Sequence, residues 1–141
     1  MKEIFYFNED ISFQLDDEES ASQWISSVIE KEDFRLQSLN YIFCSDNYLL
    51  QINKEYLSHD YFTDIITFDQ SETPNTIEGD IFISIDRVQE NADQLQKPFK
   101  DELYRVMIHG VLHMMGYEDK SDIQKEQMRK KEEACLSLQK F

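Results

Sequence analysis

The chain has 141 residues, of which 40% are hydrophobic and 13% aromatic, enough apolar side chain for one buried core and too much for a disordered tail. Its 29 acidic and 14 basic residues give a formal net charge of -15, which excludes a general polyanion-binding surface, because nucleic-acid affinity rests on Lys and Arg neutralising phosphates. No apolar run approaches the roughly 20 residues of a membrane helix, and the start, MKEIFYFNEDISF, lacks a signal-peptide pattern, so one soluble, cytoplasmic domain over residues 1–141 is expected, with no membrane association.

In chain order, residues 3–14 read as one or two short strands, and DDEESASQWISSVIEKE as a helix. The acids that open that helix favour its positive end, and Trp24, Ile25, Val28 and Ile29 share one 3.6-period face. LQSLNYIFCS, 36–45, is rich in β-formers and reads as a strand. Asp46 is placed to cap the next helix, whose apolar side would be Leu49, Leu50, Ile52 and Tyr56. TDIITF, 63–68, and GDIFISI, 79–85, are two further strands that can pair across a polar loop holding Pro74 and Asn75. After Asp86 the pattern turns helical: RVQENADQLQ, a break at Pro98, then FKDELYRVMIHGVLHMM up to Gly116. A last helix starts near Ser121, where Ser121 and Gln124 have capping-box spacing, and runs to about Leu138. Cys44 and Cys135, far apart in the chain, read as reduced structural thiols. Strands early and helices late give an α+β domain, a small mixed sheet with helices packed on it.

The helix before Gly116 carries the chemistry. From Val106 to Met115 its only polar side chains are His109 and His113, and a helix that is apolar all round is buried. A spacing of four stacks the two imidazoles on one face. A lone histidine there would read as a hydrogen-bonded core residue, but a buried pair needs a shared partner, and one Zn2+ ion would satisfy a nitrogen from each. Two of the chain's three glycines lie in the same motif. Gly110, costly inside a helix, implies room beside a metal or close backbone packing. Gly116 suits a left-handed stop that turns the chain back toward the histidines. Asp119 would then complete a three-ligand site with an open position; Glu118 and His59 are the alternative third ligands. Met114 and Met115 read as core filling.

These stretches resemble one family. HGVLHMMGYED, 109–119, is similar to the H-G-x-L-H-x-x-G-Y-D-H signature of the YbeY endoribonucleases, with Asp119 at the last histidine. INKEYLSHDYFTDIITF, 52–68, resembles the family's L-N-x-x-Y-R and T-D-V-L-S-F segments, with Leu57 at the arginine, and EGDIFIS, 78–84, resembles its L-G-D-I-x-I-S strand. The resemblance implies a zinc held by the helix and the turn after it. It also implies cleavage of single-stranded RNA in ribosomal RNA maturation and ribosome quality control. The ribosome or its proteins are the expected partners, and a monomer is expected.

The zinc proteases place a glutamate where this motif has Gly110, so peptide hydrolysis by that route is disfavoured, whereas phosphodiester cleavage by a water on the ion remains open and needs no assigned catalytic side chain. An aspartate ligand lowers the charge of the site to about +1, so a higher pH optimum or weaker activity than in a three-histidine relative is expected. Lys54, His59 and Arg105 are the candidate RNA contacts, with Lys97 and Lys100 nearby in the chain. Two other readings stand beside the ribonuclease: a metallopeptidase-like zinc hydrolase with a base such as Glu118, and a non-catalytic ribosome-associated factor with a structural metal.

Overall fold

The computed structural model describes residues 3–141, in the order β1 (Ile4–Glu9), α1 (Glu18–Lys31), β2 (Arg35–Cys44), α2 (Asp46–Leu57), β3 (Ile65–Asp69), β4 (Thr76–Ser84), α3 (Ile85–Leu95), α4 (Phe99–Met114) and α5 (Asp122–Leu136). The strands form one mixed sheet in the order β1-β2-β4-β3. β1 and β4 run parallel to β2, whereas β3 lies antiparallel to β4, with Ile65 opposite Ile83. The expected α+β architecture is what the chain adopts.

Strand alternation decides the two faces. Leu39, Tyr41 and Phe43 of β2 and Ile77, Ile81 and Ile83 of β4 point to one side, where they form the main core with Trp24, Ile25, Val28 and Ile29 of α1 and the apolar residues of α4. Cys44, Ile66, Phe68 and Phe82 point to the other side, under Leu49 and Ile52 of α2. Tyr41 donates its hydroxyl to the Met107 carbonyl at 2.9 Å, tying the central strand to α4. Trp24 donates Nε1–H to the Cys135 carbonyl at 2.8 Å, tying α1 to α5. Both cysteines are buried and unpaired. Among the described residues no helix is long and apolar enough to cross a membrane.

Several boundaries differ from expectation. The cap of α2 is Ser45, whose Oγ accepts from the Tyr48 amide, and Asp46 stands one residue inside the helix. From there Asp46 accepts from Arg87 Nη2 at 2.8 Å and from Ser84 Oγ at 3.0 Å, so its carboxylate joins α2 to α3 instead of closing its own helix. Tyr56, expected on the apolar side of α2, is exposed and meets Phe68 edge-on. β4 starts at Thr76, before the run GDIFISI, because the backbone of Thr76 to Glu78 already pairs with β2. Ser121 and Gln124 do form a capping box at the start of α5.

Candidate metal centre and cleft

α4 lies against β3 and β4, and Gly110 is the reason that it can. A Cβ on Gly110 would stand 2.9 Å from both Ile65 Cδ1 and Ile81 Cδ1. Close packing on the sheet therefore explains this glycine, and room beside an ion is not needed to account for it. The contact presents His109 and His113 along the β3 side of the helix, where they stand partly exposed, with side-chain accessibilities of 15% and 28%.

After Met114 the chain turns. The Gly116 amide donates to the His113 carbonyl and the Tyr117 amide to the Leu112 carbonyl, both at 3.0 Å. Gly116 has φ 102°, a conformation that L residues rarely adopt, as the sequence predicts for a stop at this point. Tyr117 then anchors the turn: its hydroxyl donates to Glu32 Oε1 at 3.2 Å, and Lys131, itself paired with Glu32, stands over the ring. Asp119 is thereby brought back to the histidines, with Oδ2 at 3.3 Å from His109 Nε2 and 3.4 Å from His113 Nε2. The two imidazoles are nearly perpendicular, with centroids 4.5 Å apart. One ligand atom from each of His109, His113 and Asp119 lies within 4.8 Å of the others, so this group could hold a metal ion. Two imidazole nitrogens and a carboxylate oxygen form a donor set that suits zinc or a similar first-row ion. Among the described residues neither Glu118 nor His59 joins this group.

The three side chains open into a cleft of about 590 Å³ whose other wall runs from Asn53 and Leu57 at the end of α2, through the loop carrying His59, Tyr61 and Thr63, to β3. Buried Asn53 shapes this wall: its Nδ2 donates to the Tyr61 carbonyl at 2.9 Å, and its own carbonyl accepts the His59 amide at 3.0 Å. Ser58, in the left-handed conformation, ends α2 just before the loop. The exposed rings of His59 and Tyr61 stack with centroids 5.1 Å apart, and Tyr61 Oη lies 3.0 Å from His59 Nδ1. Asp64 also lines the cleft. Burial pushes its carboxyl above the ordinary carboxylate range, against the opposing pull of Arg105 and His109, while Asn91 Nδ2 donates to it at 3.2 Å.

The basic residues proposed from the sequence are placed unevenly. His59 lies in the cleft wall, and Lys54, on the same helix as Leu57, pairs with Asp60 at 3.5 Å. Lys97 is exposed beyond α3, and Lys100 pairs with Asp16. Arg105 turns inward. Its guanidinium donates to Glu102 through Nε at 2.9 Å and Nη2 at 2.7 Å, and to Glu132 through Nη1 at 3.1 Å. The Glu102 hydrogen bonds, foremost among these contacts, hold it more firmly protonated than a free arginine. Glu102, Glu132 and Asp64 are the groups at the centre that the sequence reading did not single out. For Glu132 a signal existed: it falls in register with Met128 and Cys135 on the buried stripe of α5.

Comparison with known proteins gives a consistent result. A family model described as Endoribonuclease YbeY matches residues 5–140. A protein of Cytophaga hutchinsonii named Endoribonuclease YbeY is 55% identical, covering all of both chains. One of the same name from Flavobacterium psychrophilum is 54% identical over 94% of each. Among solved structures, a solution structure of a Thermotoga maritima protein superposes with a TM-score of 0.62 at 27% identity, covering 95% of this chain and 89% of that one.

Proposed function

The chain belongs to the YbeY family of endoribonucleases, and from that premise we propose that it is a zinc-dependent, single-strand-specific endoribonuclease acting in ribosomal RNA maturation and ribosome quality control. The observation that carries the metal-dependent part is the convergence of His109 Nε2, His113 Nε2 and Asp119 Oδ2 on one point at the edge of an open cleft. Three protein ligands beside open space are the arrangement of a catalytic zinc site, whereas a structural site is closed by four. When bound there, the ion would supply Lewis acidity toward a phosphodiester and make water a better nucleophile.

The chain's own residues supply the rest. His109, His113 and Asp119 hold the reaction centre on a rigid helix and its anchored turn. Asp64 lines the same cleft, with its carboxyl raised above the ordinary carboxylate range by burial. His59 and Tyr61 offer exposed stacked rings on the opposite wall, and base stacking on such rings requires bases free of a duplex, which supports a single-stranded substrate. The peptidase reading loses support from two positions. Gly110, where a protease would carry its base, is packed against Ile65 and Ile81, and Glu118 is exposed outside the ligand group.

The test is cleavage of matched single-stranded and double-stranded RNA by the full chain before and after chelation, with zinc restored. Single-strand cleavage that chelator abolishes, zinc restores and His109→Ala lacks is the expected result. Cleavage that survives chelation overturns the metal-dependent reading. In the same assay Asp119→His, by raising the charge of the loaded site from about +1 to +2, shifts the pH profile of cleavage to lower pH; an unchanged profile excludes Asp119 as a ligand.

A further inference from the structure

His109 is held from both sides. Its Nε2 faces Asp119 at 3.3 Å, and its Nδ1 lies 2.5 Å from Glu132 Oε2, across from α4 on α5. Glu132 is 3% exposed and its other oxygen takes Arg105 Nη1 at 3.1 Å. Arg105 is fixed in turn by two hydrogen bonds to Glu102, which is 1% exposed. A buried carboxylate on a helix that otherwise carries its charges toward solvent needs a reason, since burying a charge is costly unless it is paired and hydrogen-bonded. Here both oxygens are used, one on a cation and one on the outer nitrogen of a ligand-group imidazole. Among the described residues His113 Nδ1 has no comparable acidic partner, and its Nε2 faces Asp119.

We infer that Glu132 is a positioning residue of the metal centre: by accepting the Nδ1 proton of His109 it fixes the ring and the tautomer that leaves the Nε2 lone pair facing Asp119 and His113. The inference rests on the metal reading above. An imidazole that ligates through one nitrogen commonly donates its other N–H to a carboxylate, which orients the ring and raises its basicity, and loss of such a partner lowers metal affinity about 10- to 100-fold. Glu102 and Arg105 form the rest of the tether. They hold the Glu132 carboxylate in place, so a chain of alternating charge runs from the interior of α4 through α5 to the back of His109.

The experiment is zinc titration of the full chain against a competing chelator, for the wild type, Glu132→Ala and Glu132→Gln, with the melting temperature of each metal-free protein and histidine-ring nitrogen NMR of the zinc-loaded wild type. Glu132→Ala is expected to bind zinc about 10- to 100-fold more weakly while the metal-free protein still melts cooperatively, and Glu132→Gln, which keeps a neutral acceptor, recovers part of the loss. The wild-type spectrum is expected to show His109 with its proton on Nδ1. Equal affinity in wild type and Glu132→Ala overturns the inference, and so does a His109 proton on Nε2. If the alanine variant does not fold, the glutamine variant and the wild-type spectrum decide by the same criteria. A wild type that takes up no zinc overturns the metal reading itself, which is a distinct result from equal affinities.

Discussion

Arg105 shows how a single side chain can be read two ways. Its position just before the apolar run that ends in the histidines marks it as a cation free to meet RNA, yet in the fold it is the counter-ion of two buried carboxylates, one of them with a side chain wholly out of solvent. Removing the cation strands both charges. Arg105→Met is therefore expected to destabilise the chain by about 3 kcal/mol, measured by chemical denaturation; a loss within a few tenths of a kcal/mol shows that the carboxylates find other partners or take up protons. Its sequence neighbours could not announce this role, because the partner Glu132 lies 27 positions away and pairing across helices is a tertiary fact. The return of Asp119 to the histidines, by contrast, is legible: the spacing after His113 and the glycine between them limit where the chain can go. Glu132 was half legible. Within KKEEACL it looks like part of a solvated charged face, but its register with Met128 and Cys135 puts it on the buried stripe.

Among the elements, the periodic segments are legible in the sequence and their junctions less so. α1 buries Trp24, Ile25, Val28 and Ile29 together, as their spacing requires. The capping box of α5 follows from two residues three apart. Ser45 displaced Asp46 as a cap because both are good cap residues and only the competing pull of Arg87 and Ser84 assigns Asp46 elsewhere. The insertion of β4 between β2 and β3 was not legible either, since alternation identifies strands and says nothing of their neighbours. The turn between α4 and α5 carries the element-level prediction. Gly116 stands at φ 102° with nothing within 4 Å of an added Cβ, so Gly116→Ala meets backbone strain and no clash. A cost of about 1 to 3 kcal/mol follows, and because relief of that strain re-aims Asp119, zinc affinity should fall with it. Melting curves and chelator competition measure the two effects; an alanine variant that melts and binds zinc as the wild type does shows that the turn tolerates the change.

Over the whole molecule the net charge of -15 sets the terms on which RNA can approach. The fold also couples several of its cations to acids, as in Lys54–Asp60, Lys100–Asp16, Lys131–Glu32 and Arg87–Asp46. Leu57 stands in the cleft wall where the resembling family segment has an arginine. Leu57→Arg is expected to tighten binding of single-stranded RNA and to steepen its salt dependence by about one unit of slope, the signature of one added phosphate contact. Binding measured across a salt series checks it, and an unchanged slope means that position 57 does not reach the backbone.

The location of Glu132 has a bearing on the order in which the protein comes into being. The four strands of the described residues are complete once the chain has reached Ser84, His109 and His113 follow in α4, and the helix that braces His109 comes after Asp119. Translation delivers these parts in that sequence, so the sheet precedes the His109, His113 and Asp119 group, and the brace follows that group. A nascent chain of this design gains the Glu132 contact to His109 only as α5, the last of the described helices, docks on α4.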